Sequence, residues 1–127
     1  MSEKVRPDII QPVILDSSTK LKEAFSDLGI NPDIAVKIFQ GIYPEGGKDN
    51  SHKIILFKPK TIPNAILLKL VLGNGRNVEI GISSDQTVLQ EGKRIIKLSR
   101  LSLAVKDSQG KLVLFDQYKR ACRLNLL

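Results

Sequence analysis

The chain reads as an α+β protein, an N-terminal helical hairpin followed by a mainly antiparallel β-sheet in a small barrel or sandwich. Three observations predict this. Apolar residues recur at helical spacing between Thr19 and Gly41. From Lys53 onward they alternate at strand spacing in short runs. Gly-containing turns separate those runs, and the clearest is Gly73-Asn74-Gly75 within AILLKLVLGNGRNVEIGI, residues 65–82.

With 127 residues, 42% hydrophobic and 26% charged, the chain suits one domain with a sizeable core. Residues 1–17 hold Pro7 and Pro12 among the apolar groups Ile9-Ile10 and Val13-Ile14-Leu15, and read as an extended arm. Such an arm adds a strand to its own sheet or to that of another subunit. Residues 18–127 read as a single α+β domain, with helices over 18–41 and a β part over 53–127.

The first helix is expected over Thr19–Leu28. Leu21, Ala24, Phe25 and Leu28 share one face, Ser17 or Ser18 can cap it, and Gly29 ends it. The second opens on Asn31 as N-cap, Pro32 in the first turn and Asp33 at the positive end of the dipole. Ile34, Ala35, Ile38 and Phe39 form its apolar face, and Gly41 closes it. Two helices joined by Gly29-Ile30-Asn31 have the outline of a DNA-reading helix-turn-helix. No third helix follows, and the second helix carries one cation, Lys37, one turn from Asp33. A helical hairpin covering a sheet accounts better for the pattern.

Tyr43 to Ser51 (YPEGGKDNS) is a loop by composition. Gly46-Gly47-Lys48 lacks the preceding strand and the following Ser/Thr of a phosphate-binding loop.

Strands are expected over 54–58, 65–72, 76–82, 86–89, 93–98, 101–106, 111–116 and 120–126. Pro59 and Pro63 bracket the first connection. A two-residue turn at Asn74-Gly75 would set Leu70 opposite Glu79 and mix charged with apolar residues on each face. A three-residue turn, Gly73-Asn74-Gly75, sets Leu70 opposite Val78, Leu68 opposite Ile80 and Ile66 opposite Ile82. Lys69 then faces Glu79 on the other side, and Gly75 takes the left-handed position of a bulge. Ser108-Gln109-Gly110 predicts the same turn again, pairing Val105 with Val113 and Leu103 with Phe115 across one apolar face.

The net charge of +7 is unevenly spread. Residues 1–52 carry six Lys/Arg against eight Asp/Glu, and residues 53–127 carry fourteen against five. A basic β half beside a mildly acidic helical half points to a polyanionic partner. Gly75-Arg76, Gly92-Lys93 and Gly110-Lys111 end turns with a positive charge, and Gly47-Lys48 precedes the first sheet strand in the same style. In an up-and-down meander alternate connections share one end. Lys48, Arg76, Lys93 and Lys111 would therefore ring that end, with Lys53 and Arg94 nearby. A second basic group is Tyr118-Lys119-Arg120 with Arg123, where an aromatic beside cations can stack a base and hold its phosphate. Both groups also suit plain hairpin chemistry and the guarding of sheet edges.

Aromatic content is 5% with no Trp, and Phe25, Phe39 and Phe115 are expected in the core. Phe57 likewise reads as core packing. Contact with nucleic acid would then rest on the phosphate backbone. The single His52, near Asp49, reads as a solvated loop residue, and Cys122 reads as a small apolar one. No nucleophile–base set, metal-ligand cluster or cofactor motif can be assembled, so no enzyme, metal or cofactor is expected. The start, MSEKVRPDII, is no secretory signal, and no apolar run is long enough to span a bilayer. An intracellular protein, cytoplasmic or nuclear, is the expectation.

The leading functional expectation is non-enzymatic, largely sequence-independent binding of single-stranded RNA or DNA. The alternative is a coat, shell or scaffold subunit, a homo-oligomer joined through its arm and sheet edges.

Overall fold

A computed structural model describes residues 9–43, 51–59, 62 and 64–126. Strand β1 (Ile9–Ile14) is followed by helices α1 (Thr19–Asp27) and α2 (Pro32–Ile42). Five strands then form a meander: β2 (Lys53–Pro59), β3 (Ala65–Val71), β4 (Asn77–Ser83), β5 (Gln86–Glu91) and β6 (Arg94–Ser99). A second, three-stranded sheet holds β7 (Leu101–Lys106), β8 (Leu112–Asp116) and β9 (Ala121–Leu124).

The α+β reading holds. The first sheet is antiparallel in the order β1-β2-β3-β4-β5-β6. It stays open rather than closing into a barrel, because the chain leaves it after β6. Arg100 is the single residue between β6 and β7, and there the chain turns into the second sheet. Of the two partners open to the N-terminal arm, β1 pairs with β2 of its own chain. The register slips between Ile10 and Val13, so Pro12, which has no N–H to donate, sits in the irregularity.

The helical hairpin forms for local reasons. Asn31 Oδ1 accepts the Asp33 N–H at 2.9 Å. At the end of α1 the Ile30 N–H reaches the Phe25 carbonyl and the Gly29 N–H reaches Ser26, with Gly29 at φ +74°. This pair of bonds satisfies carbonyls the helix leaves open, and a left-handed glycine permits it. At the start of α1 the cap is weaker, a 3.4 Å contact from the Thr19 N–H to Ser17 Oγ.

The β3–β4 register is the three-residue one: Leu70 opposite Val78, Leu68 opposite Ile80, Ile66 opposite Ile82 and Lys69 opposite Glu79. The Gly75 N–H bonds the Leu72 carbonyl, and Gly75 has φ +87°. One face of the meander is therefore dry. Leu68, Leu70, Val78 and Ile80 are fully buried and join Phe25, Ile38, Leu112 and Leu124 in one core. The helices and the second sheet together cover that face.

The second hairpin keeps the predicted pairs, but of the predicted apolar face only Leu101 and Val113 are buried, while Leu103 turns out. Leu103 lies opposite Phe115 and Val105 opposite Val113. Yet Leu103 is 49% exposed, whereas Ala104, Leu112 and Leu114 enter the core. The register shifts between Leu101 and Leu103, so Leu101 turns inward while Leu103 points out. Phe115 is accordingly half-buried on the outer face and not a core residue. Phe57, paired with Leu67 on the outer face of the first sheet, is half-buried as well.

Candidate nucleic-acid interface

The expected basic residues fall into two separate places. The first is the end of the meander where β2 begins. Lys53 pairs with Val71, and the β3–β4 turn that follows carries Arg76. Glu91 pairs with Arg94 across the Gly92-Lys93 turn, where Gly92 has φ +60°. Arg76 Nη1 donates to the Asn125 carbonyl at 2.8 Å. Its neighbour Leu124 pairs with Leu112, the residue after Lys111. Lys53, Arg76, Lys93 and Arg94 thus gather at one end, as the alternation of a meander dictates, and Lys111 of the second sheet is brought to it by the Arg76–Asn125 contact. Lys48 and Asp49 lie outside the described residues.

The members of this rim differ in what they offer a ligand. Lys53, Lys93 and Arg94 are exposed, and Lys111 is half-buried. Arg76 is bound into the fold. Its Nε donates to Glu91 Oε2 at 2.5 Å and its Nη2 to Glu91 Oε1 at 2.9 Å. The Arg76 hydrogen bonds hold the Glu91 carboxyl below the usual carboxylate range. With the Asn125 bond, Arg76 ties three chain segments together. His52 also has a structural role here, since its Nδ1 accepts the Gly73 N–H at 2.9 Å. Gly73 is needed there: a Cβ would lie 2.7 Å from the Ser51 carbonyl oxygen.

The second place is the opposite end, at the β8–β9 turn. The Asp116 N–H bonds the Arg120 carbonyl, and the Lys119 N–H bonds that of Asp116. This copies the β7–β8 turn, in which the Asp107 N–H bonds the Lys111 carbonyl and the Gly110 N–H that of Asp107. Gly110 has φ +77° and Lys119, at the equivalent position, φ +65°. In both turns the leading aspartate gathers amides. Asp107 Oδ1 accepts from Gln109 and Lys111, and Asp116 Oδ1 from Tyr118 and Arg120. Hydrogen bonds from the Lys111 and Gln109 amides hold the Asp107 carboxyl below its ordinary value, aided by the charge of Arg123.

Asp116 is the hub of this end. It is 1% exposed, and its Oδ2 takes the Ser99 N–H and Arg120 Nε, each at 2.9 Å. Burial alone would raise its pKa. Hydrogen bonds from the Ser99, Arg120 and Tyr118 amides and the Arg120 guanidinium outweigh that and draw it to about 2. The Arg120 guanidinium also lies 5.7 Å from the centre of the Tyr118 ring, and Tyr118 is 67% exposed.

Arg123 is not with Tyr118 and Arg120 but toward the Asp107–Lys111 turn, where its charge acts on Asp107. It pairs with Val113 in mid-strand and is exposed. Three residues that sequence reasoning passed over matter here. Lys97 and Arg120 line one open cleft with Ser99 between them. Arg100 donates from Nη1 to the Ser84 carbonyl at 2.7 Å and from Nη2 to the Gly29 carbonyl, pinning the corner between the sheets. Asp116 was signalled by its spacing to Arg120, the same as that of Asp107 to Lys111.

Among the described residues no three His, Cys, Asp or Glu side chains gather to hold a metal ion. Cys122 is buried in the core, and burial pushes its thiol pKa up, which disfavours the reactive thiolate. No helix of the described residues is long and apolar enough to cross a membrane. The chain matches no protein-family model, no curated protein and no solved structure.

Proposed function

We propose that the chain binds single-stranded RNA or DNA, without catalysis and with little sequence preference, through its basic β half. The observation that carries this reading is an imbalance in how charges are used. Four of the five carboxylates of the β half are held by the fold, Asp116 by Arg120, Glu91 by Arg76, Asp107 by its own turn and Asp85 by the Ser83 hydroxyl, while Glu79 is exposed opposite Lys69. The cations Lys53, Lys93, Arg94, Lys97, Lys119, Arg120 and Arg123 are exposed. Lys93 and Arg94 mark the rim end of edge strand β6 and Lys97 lies nearer its other end, toward Arg120, with Arg94 and Lys97 on opposite faces of the strand. A six-residue strand spans roughly 20 Å, a length of backbone that a few nucleotides cover.

Such a surface acts on phosphates through counterion release, which ignores sequence. Helices offer no competing reader, because α1 and α2 bury Phe25, Ile34 and Ile38 against the sheets. The test is fluorescence anisotropy with labelled single-stranded oligonucleotides over a salt series. Affinity is expected to fall steeply as salt rises. An absence of binding at low salt, or binding indifferent to salt, rejects the reading.

A second reading, a self-assembling structural subunit, is favoured by one observation. Ile14 on edge strand β1 is 61% exposed, beside the half-buried outer-face residues Ile55 and Phe57. Light scattering after size exclusion would then give an oligomer that Ile14→Lys dissociates. A monomer at high concentration excludes it.

A further inference from the structure

We infer that the cleft between β6 and the β8–β9 turn is a nucleotide site, in which Lys97 and Arg120 hold a phosphate and Tyr118 stacks the adjoining base. This rests on the nucleic-acid reading above and names the place where a strand is gripped, away from the Gly-turn rim.

The cleft measures about 350 Å³, with Asp85 and Gln86 on one side, Lys97 to Ser99 along β6, and Arg120 facing them. Its cations are positioned differently from those of the rim. Arg76, one of the rim's two guanidinium groups with the exposed Arg94, is taken up by Glu91 and by the Asn125 carbonyl. Arg120 is instead held from behind. One nitrogen, Nε, is fixed by the buried Asp116 carboxylate, and the side chain is still 58% exposed. A guanidinium oriented by a buried carboxylate keeps its outer N–H groups for a phosphate at low entropic cost. Lys97, exposed on β6, supplies a second charge from the other wall. Asp85 is the acidic group of the cleft, and Ser83 Oγ donates to it at 3.0 Å.

The aromatic stands outside the cleft lining and adjoins it through Arg120. Tyr118 presents its ring to solvent with the Arg120 guanidinium 5.7 Å from the ring centre. A base stacked on that ring would have its phosphate within reach of the same arginine. Lys119 adds charge at the tip. It does so in a left-handed conformation that β-turns ordinarily give to Gly or Asn.

The tyrosine content makes the test direct. The chain has two Tyr and no Trp, and Tyr43 is 5% exposed. Quenching of tyrosine fluorescence by an added oligonucleotide therefore reports on Tyr118. The probes are unlabelled and fluorescein-labelled single-stranded 20-mers of thymidine or uridine, added to the full chain at low salt. Quenching is expected in the wild type and lost in Tyr118→Leu. That variant should weaken binding roughly 5- to 100-fold, with the salt slope unchanged. Lys97→Ala should lower the salt slope by about one phosphate contact, and Lys37→Ala, at an exposed position of α2 outside the basic surface, should leave the quenching intact. Far-UV circular dichroism checks that these surface variants stay folded. If the wild type binds by anisotropy but its tyrosine is not quenched and Tyr118→Leu binds equally well, the cleft is not the site, although nucleic-acid binding stands. If the wild type binds no oligonucleotide at low salt, both fall.

Discussion

The β3–β4 and β7–β8 hairpins share a turn design and differ in which side they hide. Each closes on a three-residue loop whose third residue, Gly75 or Gly110, has positive φ. Each has the register expected from that loop. In β3–β4 the apolar pairs face the core and Lys69 and Glu79 face out. In β7–β8 the expected apolar pair, Leu103 with Phe115, faces out. Alternation divides a strand into two faces, and polar residues on one of them decide which is wet. Strand β8 is apolar on both faces through Leu112, Val113, Leu114 and Phe115, so the decision passes to the packing partners. Here α2 decides: Gly41 lets the helix approach so closely that an added Cβ would lie 3.0 Å from Leu112 Cδ1.

The contrast can be broken most sharply by truncation. Leu68→Ala and Leu114→Ala should each cost about 2–5 kcal/mol, since both side chains are buried in the shared core. Urea denaturation measures this. If Leu114→Ala is tolerated, the inward face of the second sheet has been misassigned.

Next in size is acid. Asp116 anchors the second sheet to Ser99 of the first, and its pKa of about 2 lies below the ordinary 3.8. A depressed folded pKa means the contribution is complete above about pH 4 and is lost as pH falls toward 2. Urea midpoints across pH 2–5 should show this loss in the wild type and a weaker dependence in Asp116→Asn.

A smaller and opposite effect is expected at the β8–β9 turn. Lys119→Gly relieves a left-handed lysine and should stabilise by up to about 1 kcal/mol, read as a raised melting temperature. The smallest change separates the two faces of β7–β8. Leu103→Ser, at a half-exposed position, should shift stability by no more than about 0.5 kcal/mol by urea denaturation.

Much of the fold was legible because its signals were local. Asn31-Pro32, Gly29 and Gly75 mark boundaries by their own chemistry, and Lys69 with Glu79 orients the meander. What was not legible depends on distant partners. Phe115 and Phe57 look like core residues because they are aromatic and lie in apolar runs, yet each falls on an outer face. The open sheet follows from a corner at Arg100, whose partners Ser84 and Gly29 are far away in sequence. At the candidate site, strand parity brought Lys53, Arg76, Lys93 and Arg94 to one end, and the docking of the second sheet added Lys111. It could not reveal that Glu91 occupies Arg76, because the charges meet across β4–β5, a register read only from the structure. Lys97 was missed for a similar reason. It joins Arg120 only where the two sheets meet.

The corner at Arg100 also has a kinetic side. Each strand of the meander pairs with its immediate successor, so those contacts close short loops and can form early. The Arg100–Gly29 bond instead joins residues 71 apart. Closing so long a loop is entropically costly and pays back only once the helices and both sheets are docked. Arg100→Ala is therefore expected to speed unfolding more than it slows folding, read from the two limbs of a urea chevron.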